Sequence, residues 1–287
     1  MMKRLRELFG WTRHSYYLMS AFLLVCLLIV YIWWPLIEEY LSYMDGRLPW
    51  YYYVDWLLLG IFAFMSLSIM ARANLKVDGL IVFVGVCGGL VIESWGTQTN
   101  LWHYYTAERP PLWIIPAWPI ASLSIDRLTR LLDYACTRMR ARLERFGGTD
   151  YLVLISKILY WLTFGGFYAL MLWFVAPTFG KSYTVGALII CGLMILTPTS
   201  YRTALLVFAA GTGLGYFLEV WGTTRGCWIY YTNEMPPLFA VLAHGMAAVA
   251  FWRTGLLVQK LWERVGAKLR SIDRPGNRPG IGLDDAE

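Results

Sequence analysis

The chain reads as a series of long apolar runs separated by short polar segments. A helix that crosses the hydrocarbon layer needs about 20 mostly apolar residues. Eight stretches approach that length, at 16–37, 52–71, 79–95, 111–126, 153–176, 182–198, 203–220 and 237–253. The fourth and eighth are the weakest and are open to a re-entrant reading. The flanking charges bear on that choice, because cytoplasmic loops are rich in Lys and Arg. With the N-terminus inside, Lys3, Arg4, Arg6 and Arg13 begin the chain on that side, and Arg72 and Lys76 return to it. Arg127, Arg130, Arg138, Arg140, Arg142 and Arg145 follow, then Arg202, then Arg253, Lys260, Arg264, Lys268 and Arg270. The outer segments hold Arg47, Arg109, Lys181 and Arg225. This alternation favours eight crossings with both termini inside, and it argues against re-entrant fourth and eighth spans.

Two inner segments, 127–146 and 256–269, scatter Leu and Met among arginines and lysines. They are expected as basic amphipathic helices on the membrane surface, facing anionic headgroups, or else as solvated linker helices. The stretch 271–287 is rich in Gly, Pro and Asp and is expected to be disordered. The run 16–37 is longer than a signal-peptide core and no small-x-small site ends it, so it reads as a retained first span.

Composition agrees with a membrane class. Of the 287 residues, 58% are hydrophobic and 15% charged, against about a quarter charged in soluble domains. The 15 Trp and 19 Tyr suit a membrane interface. The net charge of +6 lies in particular loops, which suits topology better than a nucleic-acid patch. Cys26, Cys87, Cys136, Cys191 and Cys227 lie far apart and form neither a disulfide framework nor a zinc spacing.

Self-comparison reveals a duplication. GLVIESWGTQTNLWHYYTAERPPLW from Gly89 aligns without a gap on GYFLEVWGTTRGCWIYYTNEMPPLF from Gly215, at an offset of 126. Glu93/Glu219, Trp95/Trp221, Gly96/Gly222, Thr97/Thr223, Trp102/Trp228, Tyr104/Tyr230 and Tyr105/Tyr231 are among the identical pairs. The expected fold is therefore an all-α integral membrane protein of two parallel four-helix repeats. The first is 1–146 with its basic helix, the second 147–270, and a cytoplasmic tail of 271–287 follows. Both motif copies fall on the outer side, and their predicted relation is face to face across a shared central cavity, about an axis along the membrane normal.

The motif concentrates unusual chemistry. Glu93 and Glu219 stand at the outer ends of apolar helices, where an ionisable side chain is a functional candidate. A carboxylic acid kept neutral in an apolar site can donate a proton, although each Glu could equally fasten loop backbone at the interface. Gly96 and Thr97 share a helix face with Glu93, as Gly222 and Thr223 do with Glu219. The glycines leave room for a close neighbour or a ligand, and the threonines can bond the carboxyls. Trp95, Trp102, Tyr104 and Tyr105, with Trp221, Trp228, Tyr230 and Tyr231, are interfacial anchors or a cage of ring faces for a cation. Glu108 and Glu234 precede Pro-Pro pairs and suit helix starts.

The copies diverge at few places. His103 aligns with Ile229, and Trp118 with His244; Asn100 and Arg225 are also unmatched. His244 lies inside a span, as a packing residue or a proton carrier. A duplicated scaffold with one catalytic and one supporting copy would look like this. No dinucleotide loop, P-loop, HExxH or histidine box occurs. No cofactor is expected. No metal site is assigned either, although Glu93, Glu219 and His244 are a conceivable ligand set.

At these residues the chain resembles the membrane carotenoid hydratase family, the one that includes bisanhydrobacterioruberin hydratase. The resemblance rests on Glu93, Gly96, Thr97 or Thr99, Tyr104, Tyr105, Pro116 and Trp118. In the second copy it rests on Glu219, Gly222, Thr223, Tyr230 and Tyr231, with His244 where the Trp would stand. Residues 98–102 replace that family's Gly-Phe-Pro-Phe-Gly-like stretch. The resemblance implies cofactor-free acid chemistry on a hydrophobic, carotenoid-like substrate in the cell membrane of a bacterium or archaeon. Glu93 or Glu219 would protonate a terminal alkene, and Trp95, Trp221, Tyr105 and Tyr231 would stabilise the tertiary cation. Thr97, Thr223 or His244 would guide the incoming water. A cyclase is a close relative of this chemistry. Two other classes stay open: a non-catalytic subunit that scaffolds partner membrane chains or binds lipid, quinone or pigment, and a transporter.

Overall fold

The computed structural model describes residues 10–143 and 149–272. Nine α-helices occur among them. They are α1 (Arg13–Ile32), α2 (Trp34–Ser42), α3 (Trp56–Ile69), α4 (Leu75–Thr99), α5 (Ala117–Leu143), α6 (Thr149–Val175), α7 (Ser182–Leu196), α8 (Tyr201–Thr224) and α9 (Leu238–Ile272). Five helices are long and apolar enough to cross a membrane: Arg13–Ile32, Leu75–Thr99, Tyr151–Thr178, Tyr201–Thr224 and Leu238–Gly266. Two shorter apolar helices, α3 and α7, accompany them.

Several boundaries differ from the hydropathy reading, each for a local reason. The first run breaks at Trp33, because Pro35 lies in the first turn of α2 and cannot donate to the helix before it. The fourth run and the basic segment after it form one helix, α5, beginning at Ala117 rather than 111. The eighth run and its basic segment likewise form α9, 35 residues long and about 52 Å at 1.5 Å per residue. The basic segments are thus helical continuations within the described residues, not separate surface helices. The expected repeat boundary at 146/147 and most of the expected disordered tail, from residue 273, lie outside the described residues.

The all-α expectation holds, with one short addition. Trp102–Tyr104 (β1) and Trp228–Tyr230 (β2) pair as a two-stranded antiparallel ribbon. Trp102 faces Tyr230, His103 faces Ile229 and Tyr104 faces Trp228. At the offset of 126 this register maps onto itself, so the ribbon has a local pseudo-twofold axis. Tyr105 N–H donates to the Cys227 carbonyl at 3.2 Å, and Tyr231 N–H to the equivalent Leu101 carbonyl at 3.0 Å. The strands join the two motif copies directly.

The main core groups Phe164, Phe167, Phe174, Phe208 and Phe239 with the ribbon aromatics. Phe174 stacks on Phe239 with ring centroids 4.2 Å apart. A second feature lies at the opposite ends of these helices. Arg127 of α5 is buried and grips Asp78 of α4 through both carboxylate oxygens at 2.8 Å, with the Ile69 carbonyl at 3.3 Å. Asp78 also accepts the Asn74 amide at 2.8 Å, which ties the pair to the start of α4. Arg253, the counterpart of Arg127, donates instead to the Met194 carbonyl and the Thr197 hydroxyl, because Ala204 stands where Asp78 would.

Candidate functional site

Both motif helices end in the same way. Asn100 and Gly226 adopt left-handed backbone at φ 62° and 66°. The Leu101 and Cys227 amides then reach back to the Gly96 and Gly222 carbonyls at 3.0 and 2.8 Å. Asn and Gly tolerate this conformation best, so the divergence at Asn100 preserves one backbone shape. The reversal lays each ribbon Trp on its own helix. A Cβ built at Gly96 would fall inside the Trp102 ring, and one at Gly222 inside the Trp228 ring. Gly89 and Gly215 make the same room two turns earlier, for Trp118 and His244.

These close approaches aim three polar partners at each glutamate. Glu93, 4% exposed, accepts Trp102 Nε1 at 3.1 Å and Tyr104 Oη at 2.8 Å on Oε2. Its Oε1 accepts Trp118 Nε1 at 3.0 Å. Glu219, 3% exposed, accepts Trp228 Nε1 at 2.9 Å on Oε2 and Tyr230 Oη at 2.9 Å on Oε1. His244 Nε2 lies 2.9 Å from that same Oε1. Burial, reinforced by the neighbouring glutamates, pushes both phenols well above their ordinary range. Tyr104 and Tyr230 therefore stay protonated.

The rings also interlock across the ribbon. Trp102 lies 5.9 Å from Tyr230, and Tyr104 5.9 Å from Trp228, between centroids. Trp118 stacks on His244 at 5.7 Å with the planes 18° apart. Glu93 and Glu219 line one cavity of about 1340 Å³, larger than the usual small-molecule site. Its lining includes Phe22 and Cys26 of α1, both acids, and Ile190 and Met194 of α7, and it is overwhelmingly apolar.

The other candidates divide by geometry. Trp95 and Trp221 line the cavity and meet Trp102 and Trp228 edge to face. Trp95 Nε1 donates to Thr184 of α7 at 3.2 Å, while Trp221 Nε1 donates to Asp55 at 2.9 Å. Thr97 and Thr223 hydroxyls donate to the backbone carbonyls of Glu93 and Glu219, each at 2.6 Å, rather than to the carboxyls. The reach of four residues back along a helix favours that bond. Tyr105 and Tyr231 are exposed and lie outside the cavity lining, and Tyr231 Oη donates to the Phe174 carbonyl at 2.6 Å. Glu108 and Glu234 are exposed, and after the first Pro-Pro pair a 3₁₀ turn (Leu112–Ile114) precedes α5. Among the described residues no group of three or more His, Cys, Asp and Glu side chains is placed to hold a metal ion.

Asp55, at the start of α3, was not singled out in the sequence. Asp55 caps α3 by accepting the Leu57 and Leu58 amides, both at 3.1 Å, and binds Arg225 Nε at 3.0 Å. Burial alone would push Asp55 up. The Leu58 amide, Arg225 and Trp221 together outweigh it and hold the carboxyl below its ordinary range. At the equivalent place Lys181 Nζ donates to the Thr99 carbonyl at 2.9 Å. Each short helix therefore docks on the motif helix of the other copy, with the charge reversed between the two docks. Comparison with protein-family models, curated proteins and solved structures finds no match.

Proposed function

We propose that the chain is a cofactor-free membrane enzyme that adds water across a carbon–carbon double bond of a polyene or isoprenoid lipid. In this reading it crosses the cell membrane eight times as two parallel four-helix repeats, with both termini cytoplasmic. The short helices α3 and α7 and the apolar start of α5 supply the three crossings beyond the five long ones. The observation that carries the chemistry is the placement of two carboxyl groups in the wall of one large apolar cavity. Such a cavity takes a long hydrocarbon and offers it few groups that can react other than these acids.

A carboxyl O–H transfers its proton to the less substituted alkene carbon, and the π pair forms the new C–H bond. The resulting tertiary cation faces a carboxylate and the Trp95, Trp118 and Trp221 rings. Water then bonds to the cation and returns one proton to the carboxylate, so only water is consumed. A second reading, an apolar-ligand-binding subunit without catalysis, draws on the same three-partner cradles, which would also serve to lock the motif loops in place.

The test expresses the chain in a membrane host that accumulates acyclic polyenes and follows the extract by chromatography with mass detection. A product heavier by one water, lost in Glu219→Gln or Glu93→Gln, is the expected result. An unchanged polyene profile from abundant folded protein overturns the enzyme reading. Pigment or lipid that copurifies equally with native and Glu→Gln chains would then support the subunit.

A further inference from the structure

The two acid sites are alike in every partner but one, and that partner changes what the site can do with a proton. An indole N–H only donates, whereas an imidazole nitrogen donates or accepts according to its tautomer, and both nitrogens donate in the cation. Glu93 faces two obligate donors, Trp102 and Trp118, one on each carboxylate oxygen. Neither indole can accept, so neither can relay a proton to or from Glu93. Glu219 faces one obligate donor, Trp228, on Oε2. Its Oε1 meets only Tyr230 and His244, both of which can reverse their roles. We propose that Glu219 and His244 form the proton-exchanging centre of the cavity, and that Glu93 takes no part in the exchange.

The surroundings favour the assignment. His244 is 19% exposed against 4% for the Glu219 side chain, so the imidazole is the more open of the two to the cavity. The Trp118 face stacked on it favours an added positive charge. Trp118 has spent its own N–H on Glu93, which fixes that ring in place. The titratable groups facing the pair are Tyr230 from β2, Tyr104 from β1 and Glu93 from α4. The two phenols stay protonated, and each Glu93 oxygen meets an indole that can only donate. Glu219 and His244 are the pair here that face each other through atoms able both to give and to take a proton. This inference goes beyond the alkene chemistry above and does not require it; where that chemistry operates, Glu219 with His244 is its acid and Glu93 its electrostatic partner.

The experiment uses the purified full chain in detergent and needs no substrate. Infrared difference spectra between acidic and basic buffer, across about pH 5 to 9 around the imidazole range, should show a carboxyl C=O band. It should be lost in Glu219→Gln and kept in Glu93→Gln. Trp118→His should add a second such band, and His244→Trp should abolish the native one. Should Glu219→Gln not fold, the native chain still decides the matter. It has 3 His, and His14 and His103 are exposed, so replacing both with Gln leaves His244 alone for ¹⁵N magnetic resonance. Imidazole signals that change with pH support the centre. Signals identical at both ends, or a band that survives Glu219→Gln and disappears in Glu93→Gln, overturn it. A hydration assay that fails while the band behaves as expected removes the enzyme reading alone.

Discussion

Gly96→Ala tests the geometry from which the whole site is built. The added methyl carbon would overlap Cη2, Cζ2 and Cζ3 of Trp102, so the indole must leave its seat. Overpacking of this kind costs about 1–3 kcal/mol. The displaced ring also gives up its bond to Glu93, and leaving a buried partner unsatisfied costs about 1–3 kcal/mol more. Alanine's better helix propensity returns up to about 1 kcal/mol. The balance is a loss centred on about 3 kcal/mol, or about 6–12 °C in melting temperature at about 2–4 °C per kcal/mol. Tryptophan fluorescence during thermal unfolding in detergent reads it directly, because Trp102 is one of the displaced rings. Gly79→Ala is the internal control. It lies on the same helix, is exposed and has no atom within 4 Å of an added Cβ, so its stability should stay within about 1 kcal/mol of the parent. A Gly96→Ala chain that melts within about 1 °C of the parent would refute the argument that Trp102 seats on bare backbone.

Two further sites give predictions of a different kind. Asp78→Ala leaves the buried Arg127 with only the part-exposed Asp126 as its acid, a loss of about 3 kcal/mol, the low end for a broken buried pair. Asp78→Leu with Arg127→Met should recover most of that stability in the same thermal assay, and a double variant no better than the single would show that the ion pair is not the reason. Asp55→Ala removes a helix cap worth about 1 kcal/mol and a part-exposed ion pair with Arg225 worth under about 1 kcal/mol. The folded pKa of Asp55 lies below its unfolded value, so its charge contributes fully above the ordinary carboxylate range and is lost as pH falls through the folded value. The difference in melting temperature between the native chain and Asp55→Asn should hold steady above about pH 5 and close below about pH 4; a difference that stays open at the acid end would contradict the assignment.

Much of the site was legible because the duplication marks it. Glu93, Trp102, Tyr104 and their equivalents stand out at a constant offset, and the structure brings those residues together in one place. What the sequence left hidden are relations between the copies. The W-x-Y alternation carries the period of a strand, yet three residues are too few to separate it from an interfacial aromatic cluster. Partners for Asp55 and Asp78 lie 170 and 49 residues away, and no periodicity points across such gaps. Helix continuity through 126–127 and 253–256 was obscured because charge density interrupts hydropathy without interrupting a helix. The thirty-five residues of α9 carry both an apolar and a basic half on one uninterrupted backbone. The hydroxyls of Thr97 and Thr223 were aimed at the carboxyls, since both lie on one face; the backbone carbonyl is closer at that spacing.

The ribbon explains why divergence at a single pair of positions matters so much. Its register maps each copy onto the other, so Trp118 and His244 stack directly against one another. Residues on such an axis meet their own equivalents, and with identical partners both sites would present the same donors to the same cavity. Each acid would then be held by two indoles, and neither would have a partner able to take up or release a proton. Replacing one indole by imidazole leaves the packing intact, because Gly215 still clears the space that Gly89 clears in the other copy, and changes only the proton inventory. The asymmetry therefore requires no rebuilding of the scaffold. The reciprocal swap, Trp118→His with His244→Trp, should accordingly fold as well as the parent and move the pH-sensitive carboxyl band from Glu219 to Glu93. A swapped chain that folds but keeps its band on Glu219 would mean that something other than the residue at this stacked position decides which acid carries the proton.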